Sequence, residues 1–371
     1  MPPVSIMIKP ASAGCNMRCR YCFYADEAAC REQGQRGIMT RKTAEAAIQK
    51  ALAHAEDMCS FMFQGGEPTL AGLEFFRSFV ETVDKENTRG VPVSYAFQTN
   101  GLALDDEWID FFAQNHFLVG VSLDGTAQVH DLLRPRADGT ASHARVTENM
   151  ERMLAAGVEC NALTVVTKQL ARNIEQTYRF FAEKGIMYQQ YIPCMDPLGA
   201  ARGRQDYSLA PREYAKFLHR LFCLWKEDLD RGRYVSIRHF NNWISILLGY
   251  PPESCSMRGQ CSVQYVLEAD GSVYPCDFYC LDQWKLGNIL TEDFAQLDAK
   301  RKDLRFVEQS LPVPEECRRC PWYALCRNGC PWDRVAGPGG EAKNYFCEAH
   351  REFFGRHIRD LEQAARRFAA R

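Results

Sequence analysis

Residues 15–22 read Cys-Asn-Met-Arg-Cys-Arg-Tyr-Cys, so one short segment carries three cysteines at spacings of three and then two residues. A tight bend in this segment directs three thiolates at one small volume. A four-iron cluster normally takes four cysteines, so three ligands leave one iron open to a small molecule. A zinc site is the alternative, but zinc sites usually pair two Cys-x-x-Cys halves or include histidines. No histidine lies between Met1 and Ala53, which favours the cluster.

This cysteine pattern resembles that of the radical S-adenosylmethionine (SAM) enzymes. The resemblance implies a [4Fe-4S] cluster on Cys15, Cys19 and Cys22, whose open iron binds the amino and carboxylate groups of SAM. It also implies that one electron cleaves SAM to methionine and a 5′-deoxyadenosyl radical. That radical removes a hydrogen atom from the substrate.

The bulk composition bounds the class of protein. The 371 residues suffice for two domains, and the net charge of −2 does not predict binding to nucleic acid or an anionic membrane. No apolar run approaches the ~20 residues of a membrane helix. The first residues lack the basic and apolar regions of a signal peptide. We therefore expect a cytoplasmic monomer with no nucleic-acid or membrane partner.

The seventeen cysteines are odd in number and concentrated in a few regions. A disulfide framework would suit a short secreted chain, so metal ligation in a reducing compartment fits better. Oxygen attacks such sites, which predicts an anaerobic setting. Six cysteines outside the ligand patterns are interpreted as buried or free thiols: Cys30, Cys59, Cys160, Cys194, Cys223 and Cys280.

The first half of the chain alternates strand and helix patterns. Strands are predicted at 5–9, 60–64, 91–98, 117–123, 159–166 and 188–192. Helices are predicted at 40–56, from Leu73, after Asp105, and at 142–156, 172–184 and 211–230. Six strand–helix units predict an α/β fold with a parallel sheet, and they are too few to close an eight-stranded barrel. The resemblance implies a partial (β/α)6 barrel of the TIM type, open to a large substrate such as a peptide.

Polar residues follow the predicted strands, at the sheet edge where ligands bind. Gly65 and Gly66 follow the second strand and permit close approach of the backbone to a ligand, although a simple strand-to-helix turn also explains them. The resemblance implies SAM contacts from Tyr21, Gly66, Ser122, Arg134 and Met195. Arg134 would pair with the methionine carboxylate. Met195 would pack on the adenosine or, alternatively, in the core.

The second half carries eight further candidate ligands: Cys255, Cys261, Cys276, Cys317, Cys320, Cys326, Cys330 and Cys347. Eight thiolates suit two fully ligated four-iron clusters, and two four-cysteine zinc sites are the alternative. A hairpin is predicted at 266–274, around Asp270-Gly271. We assign 1–235 to the barrel, 236–347 to the cysteine-rich domain and 348–371 to a C-terminal helix.

This half resembles the SPASM extension of radical SAM enzymes, through Cys261, Gly271 and Cys276 as Cys-x9-Gly-x4-Cys. The resemblance implies two auxiliary [4Fe-4S] clusters, three in all. It assigns the nearer cluster to Cys255, Cys261, Cys276 and Cys330. It assigns the outer one to Cys317, Cys320, Cys326 and Cys347. Full ligation predicts that these clusters carry electrons and do not bind substrate.

Residues 275–279, Pro-Cys-Asp-Phe-Tyr, place Asp277 directly after a candidate cluster ligand. A surface or turn aspartate is the ordinary interpretation. The functional interpretation is a general base, because a radical beside a thiol or hydroxyl is easier to oxidise once that group loses its proton.

Several motifs together resemble the anaerobic sulfatase-maturating enzymes. They lie at 1–3, 9–12, 22–24, 63–72, 98–101 and 274–279. The resemblance implies oxidation of a Cys or Ser in a sulfatase, within a Cys/Ser-x-Pro-x-Arg type of motif, to Cα-formylglycine. It implies Asp277 as the base, Gln64 and Tyr24 near the target side chain, and an electron donor such as flavodoxin or ferredoxin.

Two other functions remain open from the sequence. Another SPASM maturase, which forms a thioether or carbon–carbon crosslink, would share SAM and three clusters. It often carries a peptide-recognition domain before the barrel, for which the first strand at Ser5 leaves no room. A non-catalytic electron carrier or zinc-stabilised binding module would not cleave SAM and would not need the segment 65–68, Gly-Gly-Glu-Pro.

Overall fold

The computed structural model describes residues 3–336 and 340–369. The first two residues of the N-terminal motif and the last two of the predicted C-terminal helix lie outside this part. The chain divides into two units. The first comprises Met1–Leu123, His130–Ala162 and Val263–Leu304. The second comprises Asp124–Val129, Leu163–Ser262 and Arg305–Arg371.

Strands and helices are numbered in chain order through the described residues. The strands are β1 (Val4–Lys9), β2 (Cys59–Phe63), β3 (Val93–Thr99), β4 (Leu118–Ser122), β5 (Glu159–Val166), β6 (Tyr188–Pro193), β7 (Ser236–Ile237), β8 (Tyr265–Glu268), β9 (Ser272–Tyr274), β10 (Gly287–Asn288), β11 (Arg334–Ala336) and β12 (Ala342–Asn344). The helices are α1 (Phe23–Ala29), α2 (Arg41–His54), α3 (Leu73–Glu86), α4 (Asp106–Gln114), α5 (Ala127–Leu133), α6 (His143–Ala155), α7 (Lys168–Arg172), α8 (Ile174–Glu183), α9 (Pro211–Asp230), α10 (Arg238–Leu247), α11 (Phe294–Asp303), α12 (Glu315–Arg318), α13 (Tyr323–Cys326) and α14 (Cys347–Ala369).

The first unit is built on a sheet whose central strand is β1. Parallel pairing runs from β1 to β2, β3 and β4 on one side, and β1 pairs in parallel with β8 on the other. The antiparallel hairpin β8–β9 then extends to β10. The carboxyl ends of β1 to β4 therefore share one edge, as the predicted α/β fold requires.

A helix cap and a cluster of aromatic side chains stabilise the helices and strands of this unit. Asp105 caps α4 by accepting a hydrogen bond of 3.1 Å from the amide of Trp108. Phe63 of β2 and Phe97 of β3 pack against Phe76 of α3, with ring centroids 5.0 and 5.1 Å from Phe76 for the two pairs. These aromatic side chains form a core that packs α3 against the sheet.

The second unit contains the parallel pair β6–β7, the hairpin β11–β12 and two long helices, α9 and α14. Helices α9 and α14 pack through Phe222 and Phe353, whose ring centroids are 5.5 Å apart. The predicted helix at 172–184 corresponds to α8, whereas the short helix α7 before it, which ends at Arg172, was not predicted. Across the described residues, every helix is too short or too polar to span a bilayer.

Candidate active site

The cysteine segment 15–22 follows the carboxyl end of β1 and leads into α1. Backbone hydrogen bonds of 2.9 Å from Arg18 to Pro135 and from Arg20 to Leu133 hold it in place. The amide of Met17 donates to the Cys15 sulfur at 3.4 Å. The amide of Ala25 donates to the Cys22 sulfur, also at 3.4 Å. The Met17 amide favours the negatively charged thiolate form of Cys15.

The donor set of this segment fits a metal cluster. Burial raises the pKa of Cys15 to about 12, and the nearby Glu67, Cys19 and Cys22 add to that rise. Ionised thiols this close together need a positive counter-charge. A bound metal supplies that charge, and its ligands therefore lose their protons. Three converging thiols without a local histidine suit iron–sulfur ligation.

Backbone hydrogen bonds of Gly66 and Glu67, which follow β2, support the chain that leads into the cysteine segment. The Gly66 amide donates to the Ser12 carbonyl at 2.8 Å, and the Glu67 amide donates to the Gly14 carbonyl at 2.7 Å. A Cβ atom on Gly66 would lie 2.0 Å from the Gly14 oxygen. Glycine is therefore required here because two stretches of backbone touch, independently of any ligand.

The buried Glu67 carboxylate links this hydrogen-bonded segment to the end of β3. It accepts hydrogen bonds from the Thr69 hydroxyl and the Asn100 amide, both at 2.8 Å. The Asn100 side chain in turn donates to Asn16 at 2.7 Å and lies 3.8 Å from the Cys15 sulfur. Burial raises the pKa of Glu67 despite these donors. Glu67 thus holds Asn100 in place, and Asn100 contacts the cysteine segment.

The five residues predicted to contact SAM fall in both units. Tyr21 and Arg134 meet within the first unit, where the guanidinium donates to the phenol oxygen at 3.0 Å. Ser122 ends β4 and accepts a 3.1 Å hydrogen bond from Gln98. Met195, half-buried, follows β6 in the second unit.

Asp277 lies in the first unit and is buried, with 8% of its surface exposed. Its Oδ1 is 2.6 Å from the Lys9 ammonium, and its Oδ2 accepts a 2.8 Å hydrogen bond from Gln64. Lys9 ends β1 and Gln64 directly follows β2, and the pairing of Ile8 with Phe63 places these two ends side by side. The structure therefore joins the predicted Asp277 and Gln64 in one site.

Lys9 is a functional candidate that sequence reasoning missed. Its side chain is fully buried, and its ammonium lies 3.5 Å from the centroid of the Tyr24 ring. Burial alone would lower the pKa of Lys9, but Asp277 and other anionic groups raise it well above its usual value. Lys9 therefore stays charged beside Asp277. Its position at the carboxyl end of the strand before the cysteine segment was the available signal.

Tyr24 is anchored at its hydroxyl. That hydroxyl donates to Glu268, which also accepts a 2.7 Å hydrogen bond from Arg31. Behind this pair, burial raises the pKa of Glu27 to about 8. The ring face of Tyr24 therefore contacts Lys9, while its hydroxyl belongs to the hydrogen-bond network of Glu268 and Arg31.

Seven of the eight remaining predicted ligands lie in the second unit, in two groups. Burial raises the pKa of Cys330, and the nearby Asp333, Cys255 and Cys261 raise it further. The other four cysteines line one pocket: Cys317, Cys320, Cys326 and Cys347. Cys276 precedes Asp277 in the first unit. His350 also lines that pocket, with its Nδ1 3.7 Å from the Cys326 sulfur, and groups so rich in thiols have the chemistry of iron–sulfur or zinc ligand sets.

Comparison with known proteins decides the family. Residues 10–181 match the radical SAM superfamily, and residues 255–321 match an iron–sulfur cluster-binding domain. The chain is 44% identical to the cysteine-type anaerobic sulfatase-maturating enzyme of Clostridium novyi, covering all of both chains. The chain belongs to the anaerobic sulfatase-maturating enzymes. Within this family, it is 30% identical to the serine-type enzyme of Bacteroides thetaiotaomicron, over 95% of this chain and 89% of that one.

A solved member of the family has the same fold. The structure described as native anSMEcpe with bound AdoMet and Cp18Cys peptide is 42% identical and superposes with a TM-score of 0.94, covering 99% of this chain and all of that one. The predicted α/β fold with a partial barrel and a SPASM domain is thus confirmed. The two family matches also confirm a radical SAM enzyme that uses SAM and [4Fe-4S] clusters, and three clusters agree with them.

Proposed function

We propose that this enzyme oxidises a cysteine of a sulfatase to Cα-formylglycine, within a Cys-x-Pro-x-Arg type of motif. The greater identity to the cysteine-type relative, 44% against 30% for the serine-type one, supports a cysteine target. The peptide in the solved relative's structure supports a polypeptide substrate.

The cofactors would be held by the residues that the sequence singled out. Cys15, Cys19 and Cys22 would carry the cluster that binds SAM, with Tyr21, Gly66, Ser122, Arg134 and Met195 around SAM. The nearer auxiliary cluster would use Cys255, Cys261, Cys276 and Cys330. The outer one would use Cys317, Cys320, Cys326 and Cys347. When bound, SAM and the clusters supply a radical that abstracts a β-hydrogen atom and an acceptor for the electron then released.

Asp277 is the proposed base for the target thiol. Its buried Oδ1 contacts the Lys9 ammonium at 2.6 Å, which engages one of the two lone pairs of that oxygen. A lone pair is therefore available for a proton. Lys9 stabilises the carboxylate charge, and Gln64 orients the group through Oδ2. Gln64 contacts Asp277 directly, and the Tyr24 ring contacts Lys9, the ion-pair partner of Asp277, which supports their proposed place near the target side chain.

The overall change balances as a two-electron oxidation. The target side chain loses a hydrogen atom from its β-carbon, a proton from sulfur to Asp277, and one electron. The product is a thioaldehyde, which water hydrolyses to the aldehyde with release of hydrogen sulfide. Asp277 thus removes the proton that would otherwise hold back the loss of the electron.

The buried contact between Lys9 and Asp277 carries this proposal, and a peptide assay tests it. The reconstituted enzyme receives SAM, a reductant and a peptide with a Cys-x-Pro-x-Arg core, with a Ser-x-Pro-x-Arg peptide in parallel, all without oxygen. Mass spectrometry with hydrazine trapping should detect the aldehyde, formed faster from the cysteine peptide. Cleavage of SAM with a crosslinked or unchanged peptide would instead indicate another maturase.

The cellular context completes the proposal. We expect a cytoplasmic monomer that receives electrons from a small donor such as flavodoxin or ferredoxin. Size-exclusion chromatography with light scattering tests the monomer. Replacement of the chemical reductant by each donor protein tests electron delivery.

A further inference from the structure

Three metal-ligating side chains converge in the second unit, apart from the cysteines assigned to clusters. His219 and Cys223 lie one turn apart on α9, and His357 lies on α14. Their ligand atoms all lie within 4.8 Å of one another. The His219 Nδ1 is 2.7 Å from the His357 Nε2 and 3.8 Å from the Cys223 sulfur.

Packing explains the burial of His357 but not this convergence of atoms. The ring of His357 lies 4.7 Å from that of Phe222 and 5.2 Å from that of Phe353, as a core side chain would. The short contact between the two ring nitrogens requires a lone pair on one of them. A thiol beside the same nitrogen adds a third donor atom that a metal can bind.

The surrounding charges tolerate a cation. Two guanidinium groups lie near His219, and each is paired with a carboxylate. Arg220 contacts Glu175 at 2.6 Å, and Arg356 contacts Glu352 at 3.3 Å. The pairs offset most of the repulsion that the guanidinium groups would exert on a metal ion.

A further carboxylate lies behind the ligands. Asp360 Oδ2 is 3.9 Å from Nδ1 of His357, the ring nitrogen that does not face His219. Carboxylates in this position commonly orient a ligating histidine and fix its tautomer. Nδ1 would then carry the proton, which leaves Nε2 free for a metal.

We propose that His219 Nδ1, Cys223 Sγ and His357 Nε2 bind one zinc ion that joins α9 to α14, with water as the fourth ligand. Binding releases the Cys223 proton and involves no redox change. One thiolate and two imidazoles suit zinc, whereas four-iron clusters are held by several thiolates.

Little movement is needed to form this site. Tetrahedral zinc with bonds of about 2.1 Å to nitrogen and 2.3 Å to sulfur places its nitrogens about 3.4 Å apart and nitrogen and sulfur about 3.6 Å apart. The two imidazole nitrogens, now 2.7 Å apart, therefore separate by a fraction of an ångström, and the Cys223 sulfur, 3.8 Å from His219 Nδ1, is already near the distance to that nitrogen that zinc requires. Because α14 begins at Cys347, the ion would fasten the helix that carries a proposed ligand of the outer cluster.

Zinc content and zinc X-ray absorption of the holoenzyme test the proposal. The protein with its clusters is incubated with one equivalent of zinc ion and dialysed, and metals are counted by mass spectrometry. We expect about one zinc per chain, with two nitrogen, one sulfur and one oxygen ligand at the zinc edge, where iron does not contribute. Cys223→Ser should lower zinc retention at least tenfold, while Cys30→Ser, which changes an exposed thiol, should retain it.

A thermal measurement guards against misfolding of the variant. Zinc should raise the unfolding midpoint of the wild type and of Cys30→Ser, but not that of Cys223→Ser. Without zinc, all three should contain the same iron and unfold at similar temperatures. Absence of zinc from the wild type, or a zinc signal with four sulfur ligands, would overturn the proposal whatever the variant does.

Discussion

Replacement of Asp277 by asparagine separates the proton-transfer step from the cleavage of SAM. The substitution keeps the shape of the side chain and removes its charge and basicity. Loss of a positioned general base costs about 10²–10⁴-fold in rate, so aldehyde formation should fall by that factor. Cleavage of SAM should continue, because the described contacts of Asp277 are with Lys9 and Gln64 and not with the cysteine segment.

The same substitution also leaves a buried ammonium without its counter-ion. Removal of one partner of a buried ion pair typically costs about 3–5 kcal/mol. We expect the lower end, because the Asp277 side chain keeps 12% exposure and the Tyr24 ring remains 3.5 Å from the Lys9 nitrogen. A loss of about 3 kcal/mol is a large share of the 5–15 kcal/mol by which a typical domain is stable.

A double variant separates these two effects. Lys9→Met with Asp277→Asn removes both charges, so most of the lost unfolding free energy should return while aldehyde formation stays low. The assay follows 5′-deoxyadenosine and the trapped aldehyde by mass spectrometry, with denaturant unfolding in parallel. Equal loss of SAM cleavage and aldehyde formation in stable protein, or full aldehyde formation by Asp277→Asn, would refute the role of Asp277 as base.

Two further predictions concern the site's supports. Gly66→Ala should displace the cysteine segment, because the new Cβ would lie 2.0 Å from a carbonyl oxygen. SAM cleavage should then be abolished, with loss of about one cluster's iron. Gly355→Ala, on an open helix surface, is the control that should keep SAM cleavage and the full iron content. Burial raises the pKa of Glu27 from 4.5 to about 8, so the folded state holds this proton more tightly and stability falls as pH rises across that window. Glu27→Gln should flatten the fall by at most about 1.4 kcal/mol per pH unit, measured as urea unfolding between pH 5 and 8; an unchanged slope would contradict the burial of a protonated carboxyl.

Local patterns predicted the framework because they depend on neighbouring residues. Strand β5 and helix α9 have the predicted bounds, since β-branched alternation and an amphipathic period mark them clearly. The short helix α7 was not predicted, because its five residues are too few to show a helical period.

Contacts between distant segments were harder to predict. A lysine is seldom fully buried, and the position of Lys9 at the end of the first strand could not show that Asp277 lies beside it. The predicted contact of Gly66 with SAM stays a prediction, whereas its close approach to the backbone at Gly14 could not be seen in the sequence. His219 and Cys223 share a helix face that the sequence reveals, but His357 joins them only through the packing of α9 on α14.

The parallel pairing of β1 with β8 also has a consequence for biosynthesis. β1 leaves the ribosome long before its neighbour β8 and the residues after it, including Asp277. Pairing between such distant segments is slow, and an unpaired strand edge invites aggregation. The cysteine segment is therefore translated long before its sheet is complete. We expect cluster insertion to follow translation, with the nascent thiols exposed to oxidants in the interval.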